Sequence, residues 1–312
     1  MKPSIAVKSN PDAFYLIDSS IYVFRAWHSM PAGITDANGH PANATYGFIE
    51  FIYQLLSRRQ PRLITCAYDE SLGTSARNDI YPDYKANRAA APDSLKHQFK
   101  LCKSFTDAIG IASIASGKLE ADDIIGTLAG IARKQNINSV IVSADKDLCQ
   151  FVGEGDAVWD FARDTWLDAR LIEKRFGVRP HQIADSLALT GDKVDNIPGI
   201  PGVGTATAAR LLVKWGNLTS LFDNKDKVAT MKFRGASRVA ELLQQYEDTV
   251  RLARELTGLI PDTSLSTELN DYQIKPDECA MQSIFTELGS SDKQRQRWHD
   301  LLNKKPVSTQ PA

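Results

Sequence analysis

No apolar run in this 312-residue chain approaches the ~20 residues needed to cross a bilayer. The N-terminal stretch MKPSIAVKSNPDAF lacks the long apolar core of a secretory leader. Only four cysteines occur (Cys66, Cys102, Cys149 and Cys279), far apart and without a C-x-x-C pair. Their scarcity argues against a zinc site and for reduced thiols in a cytoplasmic protein. The five histidines are scattered, and no Ser/His/Asp or Cys/His pairing stands out. No internal repeat is visible, and no apolar strand precedes the Gly-rich run near residue 200, so it is not a dinucleotide fingerprint. A strong excess of one charge is missing too, since the formal net charge is −1. Taken alone, that disfavours a nucleic-acid binder. With 43% hydrophobic and 24% charged residues, the composition is that of a soluble globular protein long enough for two domains.

What the chain does have is acid in the right places. Asp18, Asp69, Glu120, Asp122, Asp123, Asp145, Asp147, Asp192 and Asp195 form five short clusters, most of them after an apolar run or at a turn. Carboxylates gathered in one cleft raise one another's pKa and oppose folding unless countercharge is supplied. Oxygen-only ligand sets select Mg²⁺ or Mn²⁺ over zinc, so the pattern points to phosphoryl transfer assisted by metal ions. Setting these nine aside leaves 29 of the 38 acids against 37 Lys and Arg, a balance of +8. A metal-filled cleft in an otherwise basic surface suits a polyphosphate substrate.

Apolar, β-branched runs at Phe14–Ile17, Leu63–Tyr68, Ile111–Ala115, Val140–Ser143 and Ala157–Phe161 read as buried strands. Helical periodicity lies between them, at Tyr46–Leu56, Leu95–Ile109 and Ile124–Ala132. This alternation predicts an α/β fold with a mainly parallel twisted sheet covered by helices on both faces. Sites in such folds lie beyond the carboxyl ends of the strands, where Asp18, Asp69 and Asp145 fall. Glu70–Pro92 is poor in aliphatics and reads as a mobile lid. The predicted organisation is an α/β domain over 1–178, with a lid at about 70–117. A helical domain follows over 179–290, and a flexible tail over 291–312.

In LEADD, Glu120 and Asp123 share a helix face, and Asp122 joins them only if Glu120 sits at the first turn. Complementing a helix dipole would explain one or two of these acids, not three with partners elsewhere. In SADKDL, strand alternation aims Asp145 and Asp147 to one side, around Lys146. In TGDKVDNIPG, Asp192 and Asp195 at i, i+3 can face one ligand, and acid at a helix C-terminus calls for a cation. In GIPGVGTATAARLL, a helix start after Gly204 leaves free N–H groups for phosphate. Gly199, Gly202 and Gly204, with Val203 and Thr205, would let a DNA strand approach. RNDIYPDYKANR mixes Arg77, Lys85 and Arg88 with Tyr81 and Tyr84, cations for phosphate and rings for an unpaired base. A solvated basic loop fits that segment as well. Arg25 is either a surface ion pair or a phosphate contact.

Through LIDSSIYVFRA, YDE, YPDYKANR, LEADD, SADKDL and TGDKVDNIPGIPGVG, the chain resembles the 5′ nuclease or flap endonuclease family. It is most similar to the 5′→3′ exonuclease domain at the front of bacterial DNA polymerase I, here in stand-alone form. The resemblance runs from about Phe14 to Phe285, with Ser19 where glycine usually follows the first Asp. It implies a PIN-like core, a helical arch and a helix–hairpin–helix element at Gly199–Leu212 that grips duplex DNA and holds K⁺. It also implies two Mg²⁺ ions, with Mn²⁺ able to substitute, roughly 4 Å apart across an in-line displacement. Asp18, Asp69, Glu120 and Asp122 would surround the first; Asp123, Asp145, Asp147, Asp192 and Asp195 the second. Lys85 and Arg88 would be catalytic, and Arg25, Arg77, Tyr81, Tyr84 and Lys146 would touch DNA. The expected enzyme is a monomeric, cytoplasmic flap endonuclease and 5′→3′ exonuclease of DNA replication and repair, linked to a DNA polymerase. On this reading Asp145→Asn or Asp123→Asn abolishes cleavage and spares DNA binding. The alternatives are a non-catalytic binder of branched DNA and a 5′ nuclease acting mainly on RNA.

Overall fold

The chain alternates strand and helix for its first half, as its apolar periodicity requires. A computed structural model describes residues 10, 12–69 and 75–303. The elements in order are β1 (Phe14–Asp18), α1 (Ser19–Ser29), α2 (Asn43–Arg59), β2 (Leu63–Asp69), α3 (Ala76–Ile80), α4 (Asp93–Ala108), β3 (Ala112–Ser116) and α5 (Ala121–Lys134). Then come β4 (Ser139–Val142), β5 (Ala157–Asp160), β6 (Thr165–Leu167), α6 (Ala169–Phe176), α7 (Ile183–Thr190), α8 (Thr205–Trp215) and α9 (Leu218–Asp223). The last are α10 (Ala236–Gln245), α11 (Glu247–Thr257), α12 (Glu278–Glu287) and α13 (Asp292–Leu302).

Among the described residues the sheet has six strands in the order β3-β2-β1-β4-β5-β6. All neighbours are parallel except β5 and β6. The five expected strands are present within a residue or two. The short antiparallel strand β6 was not anticipated, because three residues are too few to show a period. Side chains along β1 alternate between two cores: Phe14 and Leu16 pack with α5, Tyr15 and Ile17 with α2 and α4. Strand order reverses between β1 and β4, which opens a crevice at the carboxyl ends of those strands.

Two expectations about organisation need correction. The arch does not extend to residue 117, because α4 buries Leu95, Phe99, Cys102 and Phe105 against the sheet and β3 pairs with β2. The described part of the lid is confined to 75–92; Glu70–Thr74 lies outside the described residues. Nor is the chain beyond 291 a tail throughout. Helix α13 opens with a capping box at Ser291 and buries Trp298 to 2% exposure between the rings of Tyr53 and Phe105. Truncating such a ring costs about 3–5 kcal/mol. The predicted tail beyond Asn303 lies outside the described residues.

The helical second half also returns to the first. Tyr272 meets the Phe14 ring at 5.0 Å, and Gln273 bridges to Leu63. Lys275 N–H donates to Gly110 O at 3.0 Å. A Cβ on Gly110 would lie 2.1 Å from Lys275 C, and its φ is +82°, so only glycine allows this return. Among the described residues no helix is long and apolar enough to cross a membrane.

Candidate active site

Two strands and a helix start deliver the first acids. Asp18 ends β1 and N-caps α1, its Oδ1 accepting Ile21 N–H at 3.4 Å. Its Oδ2 accepts the Ser143 hydroxyl at 2.8 Å, across the crevice from the end of β4. Asp69 ends β2; its Oδ1 accepts Ala121 N–H at 2.9 Å, which ties β2 to the start of α5. Glu120 is the N-cap of α5 and Asp122 lies in its first turn, the arrangement needed for these two to converge. Ser143 Oγ also accepts Asp145 N–H at 2.9 Å, and Asp145 Oδ1 accepts Asp147 N–H at 2.8 Å. Asp192 lies after α7 and receives Lys146 Nζ at 3.0 Å and Val194 N–H at 2.7 Å.

Electrostatics shows that these acids share one basin. Asp18 is pushed up to about 7 by burial first, then by the charge of Asp69, with Asp145 adding to it. Asp122 is raised well above the ordinary value by burial, then by Asp145 and Asp18. Asp147 is raised to about 7 by burial and by Asp145, Asp192 and Asp195. Burial also raises Asp145, against the Asp147 amide, with Asp195 adding. Countercharge rescues the rim. Burial works against Glu120, yet Lys85 and Arg77 hold it below the usual carboxylate range. Asp192 is likewise held low, burial being outweighed by the Lys146 and Val194 hydrogen bonds.

The cations come from the lid and from SADKDL. Lys85 Nζ lies 2.8 Å from Glu120 Oε2 and 3.9 Å from Asp195 Oδ2, and Arg88 pairs with Asp195. Lys85 has φ +56°, a conformation that side chains rarely adopt and that surroundings must impose. Its N–H donates to Asp195 O at 3.0 Å, while Asn87 Nδ2 donates to Lys193 O and Asn196 Nδ2 to Asp83 O. The lid is thus stitched to the Asp192–Asp195 loop, which aims Lys85 and Arg88 into the basin.

Eight of the nine predicted carboxylates meet there; Asp123 does not. It is fully buried and grips Arg77 in a two-pronged pair, Nη1 to Oδ2 at 2.7 Å and Nη2 to Oδ1 at 2.9 Å. Its oxygens also accept Ile260 N–H at 2.9 Å and Glu120 N–H at 3.2 Å. With no lone pair left facing the basin, Asp123 is a structural staple and not a second-ion ligand. Arg77, 4% exposed, is withdrawn from DNA for the same reason, its remaining N–H groups donating to Leu256 O and Gly258 O at 2.8 Å. Tyr84 is likewise withdrawn from DNA. It is buried, and its hydroxyl donates to Glu120 at 3.0 Å, so the ring is not free to stack on a base.

The other predicted DNA contacts divide. Arg25 is exposed on α1, and Tyr81 is half-buried beside the core. Lys146 is half-exposed while holding Asp192. Gly202, Gly204 and Thr205 are exposed at the start of α8. Val203 is buried and anchors the loop before α8 from inside. A Cβ on Gly199 would lie 2.2 Å from Gly191 N, so this glycine serves close backbone packing between the helix ends. Sequence reasoning missed Ser143, which joins two acids, and Ser20, whose Oγ accepts Asp69 N–H at 3.0 Å. Both sit inside motifs already noted, next to acids at strand ends.

The donor set fits hard divalent cations. It is all oxygen, four of its acids are raised by mutual repulsion and burial, and Asp147 Oδ1 is buried with no hydrogen-bond partner. Cations held between these carboxylates would satisfy that oxygen and relieve the repulsion.

Comparison with known proteins agrees with this architecture. Residues 13–177 match the 5′-3′ exonuclease N-terminal resolvase-like domain, and residues 178–279 match the 5′-3′ exonuclease C-terminal SAM fold. A 5′-3′ exonuclease of Aquifex aeolicus is 34% identical over 88% of this chain and 91% of its own length. A DNA polymerase I of Rhizobium leguminosarum is 35% identical over 85% of this chain. The chain spans only 26% of that polymerase. Among solved structures, T5 5′-exonuclease with divalent metal ions (zinc) bound superposes with a TM-score of 0.62 at 18% identity, over 93% of this chain and 98% of that one. The catalytic core of Rad2 in complex with DNA substrate gives 0.62 at 17% identity, over 97% and 95%. Both show the same fold.

Proposed function

This chain belongs to the 5′-3′ exonuclease family, and we propose that it is a Mg²⁺-dependent nuclease that cleaves DNA at 5′ ends or flaps. The observation that carries this reading is the basin of Asp18, Asp69, Glu120, Asp122, Asp145, Asp147, Asp192 and Asp195, whose charge the nearby lysines and arginines do not balance. Asp18, Asp69, Glu120 and Asp122 would hold one ion, and Asp145, Asp147, Asp192 and Asp195 a second. When bound, two such ions supply Lewis-acid stabilisation of phosphate oxygens and a nucleophile at neutral pH. Mn²⁺ would serve in place of Mg²⁺.

The chain's own groups do the rest. Lys85 and Arg88 lie over the basin on a braced segment and would turn from Glu120 and Asp195 to the scissile phosphate, stabilising the charge that develops on it. Ser143 keeps Asp18 and Asp145 in register. The exposed amides at Gly204 and Thr205 would hold a phosphate of the duplex, and backbone oxygens of the same hairpin would hold K⁺. Arg25 and Lys146 would add phosphate contacts. No base-reading element accompanies these groups, so specificity would follow DNA shape. Primer or Okazaki-fragment processing in cytoplasmic DNA replication and repair, by a monomer working beside a polymerase, is the role such an activity would serve.

The test is cleavage of a 5′-labelled flap in Mg²⁺ and in chelator. The expected result is cleavage near the junction in Mg²⁺, none in chelator, and recovery with Mn²⁺. Binding without cleavage in Mg²⁺ would make the protein a branched-DNA binder. Faster cleavage of a matched RNA flap would move the substrate to RNA.

A further inference from the structure

The turn between α1 and α2 carries a second cluster of ligating groups, which shares no residue with the basin. Thr35 and Pro41 bridge across it, and Asp36 sits at its centre with 1% of its side chain exposed. Asp36 Oδ1 accepts the amide hydrogens of Asn38 and His40, each at 2.9 Å. Its orientation is therefore fixed, and Oδ2 faces two imidazoles. His40 Nδ1 is 3.3 Å from Oδ2, and His97 Nε2, from the second turn of α4, is 3.9 Å away. The three ligating atoms lie within 4.8 Å of one another, and the rings sit 5.6 Å apart at 69°. His97 Nε2 is buried without a hydrogen-bond partner.

We propose that Asp36, His40 and His97 form a binding site for a borderline divalent transition cation of the Zn²⁺, Co²⁺ or Ni²⁺ class. A tetrahedral ion with bonds of about 2.0–2.1 Å holds its ligands roughly 3.4 Å apart. One edge already has that length. The others close by turning two imidazoles that are 61% and 40% exposed. Two nitrogens and one carboxylate oxygen match this class and suit Mg²⁺ poorly, so the site differs in kind from the basin. The locked Oδ1 is the outer hydrogen bonding that orients a ligating carboxylate. A water would complete the tetrahedron. An ion there would cross-link the α1–α2 turn to the foot of α4, beside α12, whose Glu287 O accepts Ala37 N–H at 3.0 Å.

The experiment uses the full chain in excess Mg²⁺, which fills the carboxylate basin. Co²⁺ is added and its visible ligand-field spectrum recorded; Zn²⁺ is then added, and displacement and thermal unfolding are followed. The expected result is one Mg²⁺-resistant equivalent with a tetrahedral spectrum, and an unfolding midpoint raised by Zn²⁺. His40→Ala and His97→Ala should each lose the equivalent and the shift, while His181→Ala, an exposed histidine elsewhere, keeps both. His40 is exposed enough that its variant tests the site even if His97→Ala folds poorly. No Mg²⁺-resistant equivalent, or the same binding in His40→Ala as in the parent, would overturn the assignment. Neither result bears on the nuclease reading, because flap cleavage does not use these three residues.

Discussion

Asp122 and Asp123 are neighbours in the chain and opposites in the fold. Asp122 points into a basin where burial, Asp145 and Asp18 all resist its ionisation. Asp123 points the other way, onto an arginine that meets both of its oxygens. The 100° step between successive helical residues makes this division. One region holds charge that the protein leaves unbalanced. The other is balanced inside the protein and holds lid, helix start and C-terminal half together, since Arg77 reaches Asp123, Leu256 and Gly258 at once.

The contrast is sharpest if the two sites are broken separately. Asp145→Asn should lower flap cleavage by at least about 1000-fold, about 4 kcal/mol of transition-state stabilisation. In chelator its unfolding midpoint should match or exceed the parent's, because a repelled charge has gone. A stability loss there would erase the distinction. Arg77→Ala or Asp123→Ala should do the reverse, losing about 3–5 kcal/mol of stability because one buried charge is left unpaired. Denaturant unfolding with and without Mg²⁺ would show the same loss in both; rescue by Mg²⁺ would return Asp123 to the ion site. Lys85→Ala should cut the cleavage rate by about 100-fold with a smaller change in DNA affinity, read from single-turnover kinetics and a binding titration.

The smallest effect is on pH. Asp18 and Asp147 titrate at about 7 in the folded chain against an ordinary value of 3.8. Between those limits the unfolded chain has already released protons that the folded one keeps. Stability in chelator should therefore fall as pH rises from about 4 to about 7. Saturating Mg²⁺ should flatten that slope. Glu120 and Asp192, held low, contribute in the opposite sense and only at more acidic pH. A chelated protein that gains stability from pH 4 to 7 would contradict the basin's charge balance.

Much of this was legible in the sequence because strand ends and helix starts are local events. The apolar runs located β1 to β5, and eight acids at their ends or in adjoining turns lie within electrostatic reach of one another. What failed depended on direction. RNDIYPDYKANR reads as a basic aromatic loop, and nothing in it reveals that Arg77 and Tyr84 turn inward while Lys85 and Arg88 face the cleft. Helix α13 escaped notice because a polar stretch with one tryptophan shows its apolar face only beside α2 and α4. His40 and His97 looked scattered since 57 positions separate their numbers, although one turn brings them to the same aspartate.

Composition and period, acting over a few residues, determined the parallel sheet, the helical second half and the supply of acids at strand ends. Which acid would be matched by an arginine and which left unbalanced was decided only when residues 77, 123, 256 and 258 came together. Partners that distant are chosen by packing. A buried charge takes its meaning from the groups within a few ångströms, whatever its neighbours in the chain.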